Sequence, residues 1–349
     1  MSNQSENTRI ALNDVYVLRP IAVFFIIVYH AFIIYRGGWS EPVGFQEVGL
    51  YHTIATVSYA FWLELFVFIS GYVFALSLQR KQPKFMSMTI SKFRRLIVPS
   101  IIFSIAYYFM FYYPKDFSIS HCVMKILSGA GHMWFLPMLF WTTLICFIID
   151  NVKVSISYKL FAICVLPILS VLPLPFQIGN ALYYTLFFYT GIIVFRNKEG
   201  FINKLAKCKV VILLSACYIL FFAVGSYLQE STMLNTDAGL LIKGVTLLSC
   251  KYIRILYCAF GILCLYSLAN FLIEKKSFQV SQWVINLSPL CFGIYLFQQF
   301  ILQYLYYKTN IPSFVGPYLL PWVGVIITVV ASYLLTKLIL MTKIGRSLM

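Results

Sequence analysis

The chain has 349 residues, of which 61% are hydrophobic and only 11% are charged. A soluble domain would carry about a quarter charged residues, so these proportions exclude an ordinary water-soluble fold. The net charge of +16 would suit a nucleic-acid partner, but the basic residues stand in loops between long apolar runs, which indicates membrane topology instead. The composition predicts one all-α integral membrane domain over residues 1–349 and no nucleic-acid partner.

Apolar runs long enough to cross about 30 Å of hydrocarbon recur along the chain. Two shorter runs contain prolines, and we interpret them as spans as well. A further stretch, 238–250, is interrupted by Lys243 and predicts either a re-entrant segment or the start of a longer helix. The pattern predicts a polytopic membrane bundle of about ten transmembrane helices. The predicted spans are 15–35, 54–78, 96–113, 132–149, 159–175, 180–195, 209–228, 252–273, 286–305 and 318–341.

Basic residues are distributed unevenly between alternate loops. The loops on the side of the N-terminus hold most of the lysines and arginines, and the other loops hold few. Lys and Arg concentrate on the cytoplasmic side of multi-pass proteins. Both the N- and the C-terminus are therefore predicted to be cytoplasmic, in a multi-pass protein of the cell inner membrane surrounded by membrane lipids.

The first predicted span contains two ionisable residues, Arg19 and His30, inside one apolar run. Their spacing of eleven residues is close to three helical turns, so both side chains project from one face, about 16 Å apart along the axis. An ionisable side chain in hydrocarbon costs roughly 2.5–3.5 kcal/mol on insertion scales. The spacing therefore predicts a polar cavity that both residues face, and we place the functional site there.

Glu64 is a carboxylate deep in the second predicted span, at a depth within about one helical turn of His30. A carboxylate beside an imidazole fixes its tautomer and raises its basicity, which would make Glu64 an orienting partner of His30. A structural ion pair, with Arg19 as its partner, is the alternative. The sequence leaves both hypotheses open.

A run of basic residues separates the second and third predicted spans and ends in Arg94 and Arg95. One interpretation is ordinary anchoring against anionic lipid. The other is a cradle for a polyanionic cytosolic cofactor, in which the forked donors of both arginines bind phosphates. The first interpretation suits Arg80, Lys81 and Lys84, and both stay open for the arginine pair.

His132 and Trp134 open the fourth predicted span. A histidine and an aromatic residue at this depth are typical of the interfacial belt, and the alternative is that they line a substrate site. No set of His, Cys and carboxylate residues has the spacing of metal ligands, so no metal is expected.

Five segments in order resemble the acyltransferase-3 family of integral membrane acyltransferases, in its stand-alone form, over essentially the whole length. Arg19 and His30 reproduce its R-x10-H signature, and Ala22 stands in its usual place. Two departures are Tyr16, where the family often has Asp, and Gln298, where a late histidine is frequent. The other similar segments are 64–71, 93–99, 134–136 and 288–297.

The resemblance implies an O-acetyltransferase that moves an acyl group, usually acetyl, from cytosolic acyl-CoA to a hydroxyl of a surface glycan or a lipid-linked saccharide. Acetyl-CoA would be the co-substrate. On this hypothesis His30 is the general base, with an acyl-histidine intermediate as the alternative, Glu64 orients it, and Arg19 stabilises charge along the cofactor path. Arg94 and Arg95 would bind the CoA phosphates.

Trp134 and His132 would contact the substrate under the same hypothesis. Two rival functions fit a polar cavity in a helical bundle as well. A transporter or flippase of a lipid-linked glycan would line its path with charged residues. A non-catalytic membrane component of a polysaccharide assembly complex would tolerate substitution of Arg19 and His30. A homo-oligomer is left open.

Overall fold

A computed structural model describes residues 12–113, 118–234, 240–274 and 280–348. These residues form helices joined by short connections, and the described ranges contain no β-strand, which confirms the all-α class. The α-helices are α1 Asn13–Phe32, α2 Gly49–Tyr59, α3 Trp62–Lys81, α4 Phe85–Lys92, α5 Val98–Tyr107, α6 Ile119–Ser128, α7 Phe135–Asn151, α8 Ile156–Leu169, α9 Ile178–Arg196, α10 Lys198–Leu205, α11 Cys208–Leu234, α12 Leu240–Glu274, α13 Gln282–Leu287, α14 Cys291–Tyr307, α15 Ile311–Met341 and α16 Lys343–Leu348.

Nine helical segments within the described ranges are long and apolar enough to cross a membrane, which confirms a multi-pass bundle. Within the predicted span 159–175 the helix, α8, has only 14 residues, or about 21 Å, and Pro173 and Pro175 follow its end. The chain nevertheless returns across the bundle here. Helix α7 ends at Asn151, at one end of the bundle. The Gln177 side chain donates a hydrogen bond to the carbonyl of Ser128, which lies shortly before the other end of α7, so residues 152–176 bring the chain back across.

The stretch 238–250 is not re-entrant in its described part. Residues 240–250 belong to the long helix α12, and 238–239 lie outside the described residues. Lys243 therefore lies within a continuous helix, which is the second of the two alternatives that the sequence allowed. An isolated lysine does not interrupt helical backbone hydrogen bonding, because lysine is a good helix former.

Helices α3 and α9 pack with their backbones nearly in contact. A Cβ atom added at Gly71 would lie 1.9 Å from the Phe188 carbonyl oxygen, and one at Gly191 would lie 2.1 Å from that of Phe68. Only glycine fits at such a backbone approach. This contact fixes the depth of Glu64 on α3 relative to the tyrosines of α9.

Both termini of the described chain lie at the same end of the bundle. The Asp14 carboxylate at the start of α1 pairs with Lys198 at 3.0 Å and accepts a hydrogen bond from the Tyr72 hydroxyl at 2.9 Å. Arg346 in α16 lines the same surface cavity as Arg95. The positive-inside pattern predicts that this end is cytoplasmic. Asp14 is also only 1% exposed, so it is a second buried carboxylate besides Glu64.

Candidate active site

The end of the bundle opposite the termini contains a cavity of about 520 Å³. His30, His132 and Trp134, three residues predicted from the sequence, all line it. The structure therefore brings together side chains from the end of α1 and the turn that precedes α7. Aromatic side chains provide much of the remaining wall: Tyr29, Tyr59, Trp62, Tyr183, Tyr184 and Tyr295.

His30 is partly buried at the cavity wall, and its ring stacks on Trp39 at a centroid distance of 5.9 Å. Its Nδ1 atom is buried and has no hydrogen-bond partner among the described residues. The side chain of Gln298, from α14, contacts the imidazole. His30 therefore faces the Gln298 amide, the backbone of Ile26 and an open cavity, with no carboxylate of the described residues at hydrogen-bonding distance.

Gln298 is fully buried, and neither polar atom of its amide meets hydrogen-bond geometry with any described residue. A buried amide without partners costs about 1–3 kcal/mol. The Oε1 of its neighbour Gln299, by contrast, accepts a hydrogen bond of 2.7 Å from the backbone N–H of His132. This unsatisfied amide of Gln298 lies directly against the imidazole of His30, the predicted base.

His132 lies inside the bundle at 3% exposure, so it is not an interfacial belt residue. Its Nε2 lies 3.0 Å from the Leu296 carbonyl oxygen, which defines Nε2 as the protonated donor. The Tyr295 hydroxyl donates to the His132 carbonyl at 2.5 Å. In the neutral imidazole this tautomer leaves Nδ1 unprotonated, and that atom is buried and without a described partner.

Glu64 contacts neither of the two residues that the sequence suggested for it. Its Oε1 accepts hydrogen bonds from Arg254 Nη2 at 3.0 Å and Nε at 3.1 Å. The prediction that Glu64 orients His30 and the alternative of an ion pair with Arg19 are both wrong. The reason is the rotation of α3, which directs Glu64 toward α12 and away from α1.

Arg254 and Lys251 are site residues that the sequence analysis missed. The Arg254 guanidinium lies 4.4 Å from the ring centroid of Tyr59 and lines the cavity. Lys251 lies one turn earlier on α12, lines the same cavity and donates a 2.8 Å hydrogen bond to Ser170 Oγ. Arg254 lies inside the predicted span 252–273, so the reasoning that selected Arg19 would also have selected it as a site residue.

The opposite end of the bundle contains a second, wider cavity of about 930 Å³ with a basic lining. Arg94 and Arg95 line it together with Lys84 and Arg346, and no carboxylate of the described chain does so. The two arginines belong to the π-helical turn Phe93–Ile97 that precedes α5. Such turns are frequent at functional sites.

Arg19 lines neither the cavity that contains His30 nor the basic cavity. It is within electrostatic range of Arg95 and of the Cys291 thiol on α14. Two helical turns further along α14 stands Gln298, which contacts His30. Arg19 and His30 therefore both face α14, and a continuous hydrated channel between them stays a prediction.

These observations define a multi-pass helical membrane protein with a polar interior site at one end and a basic cavity at the other. The acyltransferase-3 family model, described as an acyltransferase domain, matches residues 12–340. The chain therefore belongs to the acyltransferase-3 family, and it is a membrane acyltransferase. No curated protein and no solved structure matches it. The family favours an enzyme over the transporter and non-catalytic alternatives.

Proposed function

We propose that this protein is a membrane O-acyltransferase that transfers acetyl from cytosolic acetyl-CoA to a saccharide hydroxyl. The observation that carries the proposal is that the two ends of the bundle contain cavities of different chemistry. A basic cavity lies at one end, a cavity lined by two histidines and many aromatic rings lies at the other, and α1 carries polar residues facing α14 in between.

The basic cavity suits the head of coenzyme A, which carries several phosphate charges. Arg94 and Arg95 supply forked donors that bind phosphate oxygens, and Lys84 and Arg346 add positive charge nearby. A polyanion would not enter hydrocarbon, so the head stays at this end and the thin pantetheine arm extends along α1 past Arg19. The Arg19 guanidinium then stabilises negative charge on that path.

The aromatic cavity suits a saccharide acceptor. Apolar faces of sugar rings pack on aromatic rings, and cavity walls with a few polar groups orient the hydroxyls. Trp134 and Tyr184, whose ring centroids are 6.2 Å apart, form one such wall. His132 contributes to the wall of the same cavity, while its buried Nδ1 is not accessible to a ligand.

In the transfer step, the acceptor hydroxyl oxygen attacks the thioester carbonyl carbon while the His30 imidazole takes the hydroxyl proton. The C–O bond forms, the C–S bond breaks, and the proton passes from His30 to the departing thiolate. A positioned general base contributes about 10²–10⁴-fold to such a reaction. The alternative in which His30 carries the acetyl group transiently uses the same residues.

Gln298 takes the orienting role that Glu64 does not fulfil. When its amide oxygen accepts a hydrogen bond from the His30 Nδ1–H, the ring is held as the tautomer whose Nε2 is unprotonated. That hydrogen bond would satisfy two buried groups that now lack partners. The contact between the amide and the ring supports this assignment.

The proposal is tested with membranes that contain the protein, acetyl-CoA labelled in the acetyl group and a panel of oligosaccharides. We expect base-labile label in the saccharide, and His30→Ala should reduce it at least about 10²-fold. His52→Ala is the matched control, because His52 is an exposed histidine that does not line either cavity. Undiminished labelling by His30→Ala would refute the role of His30.

A further inference from the structure

The cavity that contains His30 is lined by two cations, Lys251 and Arg254, and by no carboxylate of the described chain. The Glu64 side chain has no exposed surface and does not line the cavity, and its negative charge is paired with Arg254. Lys251 has no carboxylate within ion-pair distance among the described residues. The lining therefore has an excess of positive charge next to the predicted acceptor site.

Both cations retain hydrogen-bond donors beyond their present contacts. Arg254 uses Nε and Nη2 on a single Glu64 oxygen, which leaves Nη1 outside the ion pair. Lys251 donates one N–H to Ser170 Oγ, and an ammonium group has three donors. The hydrogen bond to Ser170 also keeps the ammonium group at the cavity, rather than extended toward lipid headgroups.

The spacing of the two cations places them on one wall. Residues three apart on a helix project from the same face, so Lys251 and Arg254 reach the cavity side by side from α12. His30 reaches it from α1, and His132 from the turn before α7. A ligand held by the cations can therefore present another of its groups to the histidines.

We propose that Lys251 and Arg254 form a subsite for an anionic group, a carboxylate or a phosphate, on the saccharide acceptor. The inference rests on the proposed function and specifies its substrate class. An acidic sugar ring would supply the carboxylate, and a saccharide phosphate would supply the phosphate. In both cases charge-assisted hydrogen bonds to the anion hold the saccharide in the cavity while a hydroxyl lies at His30.

The test compares three acceptors with labelled acetyl-CoA: a neutral oligosaccharide, a uronic-acid oligosaccharide and a phosphorylated oligosaccharide. We expect wild-type kcat/KM to favour at least one anionic acceptor over the neutral one by about tenfold or more, from one charge-assisted contact. Lys251→Gln should remove that preference and Lys251→Arg should preserve it. The preferred acceptor tells carboxylate from phosphate.

Lys308→Gln is the matched control, because Lys308 is an exposed lysine at the same end of the bundle that does not line the cavity. The preference should survive in this variant. A second measurement uses the wild type alone, in which rising salt should reduce the ratio of anionic to neutral kcat/KM because salt screens the contact.

Equal kcat/KM for neutral and anionic acceptors, or an unchanged ratio in Lys251→Gln, would overturn the subsite while saccharide labelling upholds the proposed function. Absence of label in every saccharide would overturn both.

Discussion

The Glu64 carboxylate forms an ion pair with Arg254, with 3.0 Å between Oε1 and Nη2, and this pair connects α3 to α12. Glu64 has no exposed side-chain surface, so its charge requires a partner inside the bundle. The residues stand 190 positions apart. The pair thus links two distant segments at the wall of the cavity, and the role of Glu64 in it is structural.

Glu64→Gln and Arg254→Gln should each destabilise the protein, because each leaves one buried group without its charged partner. Breaking such a pair costs about 3–5 kcal/mol. The double variant should recover part of that loss, which thermal unfolding of the detergent-solubilised protein measures. If Glu64→Gln keeps wild-type stability but loses catalysis, Glu64 is a catalytic residue and the structural assignment is wrong.

Gln298→Leu should lower kcat with little change in KM for either substrate, because it removes the partner of the base and no substrate contact. A loss of about tenfold corresponds to one buried hydrogen bond. Gln298→His retains hydrogen-bonding nitrogens and should restore part of kcat. Steady-state measurements of kcat and KM on both variants test this positioning role of Gln298. A change confined to KM would contradict it.

Replacing Arg94 and Arg95 together by Gln should raise the KM for acetyl-CoA by about tenfold or more, since charge-assisted hydrogen bonds to phosphate are lost. The matched control is Lys207→Gln with Lys209→Gln, which removes two exposed charges that do not line the basic cavity. An unchanged KM in the arginine variant would show that this cavity does not bind the CoA phosphates.

Gly71→Ala should destabilise the bundle, because the new Cβ would lie 1.9 Å from the Phe188 carbonyl oxygen and force α3 away from α9. Overpacking of this kind costs about 1–3 kcal/mol. Gly49→Ala is the control, since that position has no atom within 4 Å of an added Cβ. Equal melting temperatures for the two variants would contradict the close packing of α3 and α9.

Hydropathy predicted the helical class and most spans, because the thickness of hydrocarbon fixes how long an apolar run must be. Helical periodicity also predicted that Arg19 and His30 share a face, since that depends on one helix alone. The partner of Glu64 could not be predicted, because it depends on which helices are neighbours and how each is rotated. Gln298 was missed for the same reason, as its significance arises only from its contact with His30.

The central claim is that donor and acceptor approach from opposite ends of the bundle. Sealed vesicles of defined orientation, with the saccharide on one side and labelled acetyl-CoA on the other, test it most directly. The account predicts labelled saccharide only when acetyl-CoA is supplied to the face that carries Arg94 and Arg95 and the saccharide to the face near His30. Equal labelling with acetyl-CoA supplied to the His30 face would contradict it.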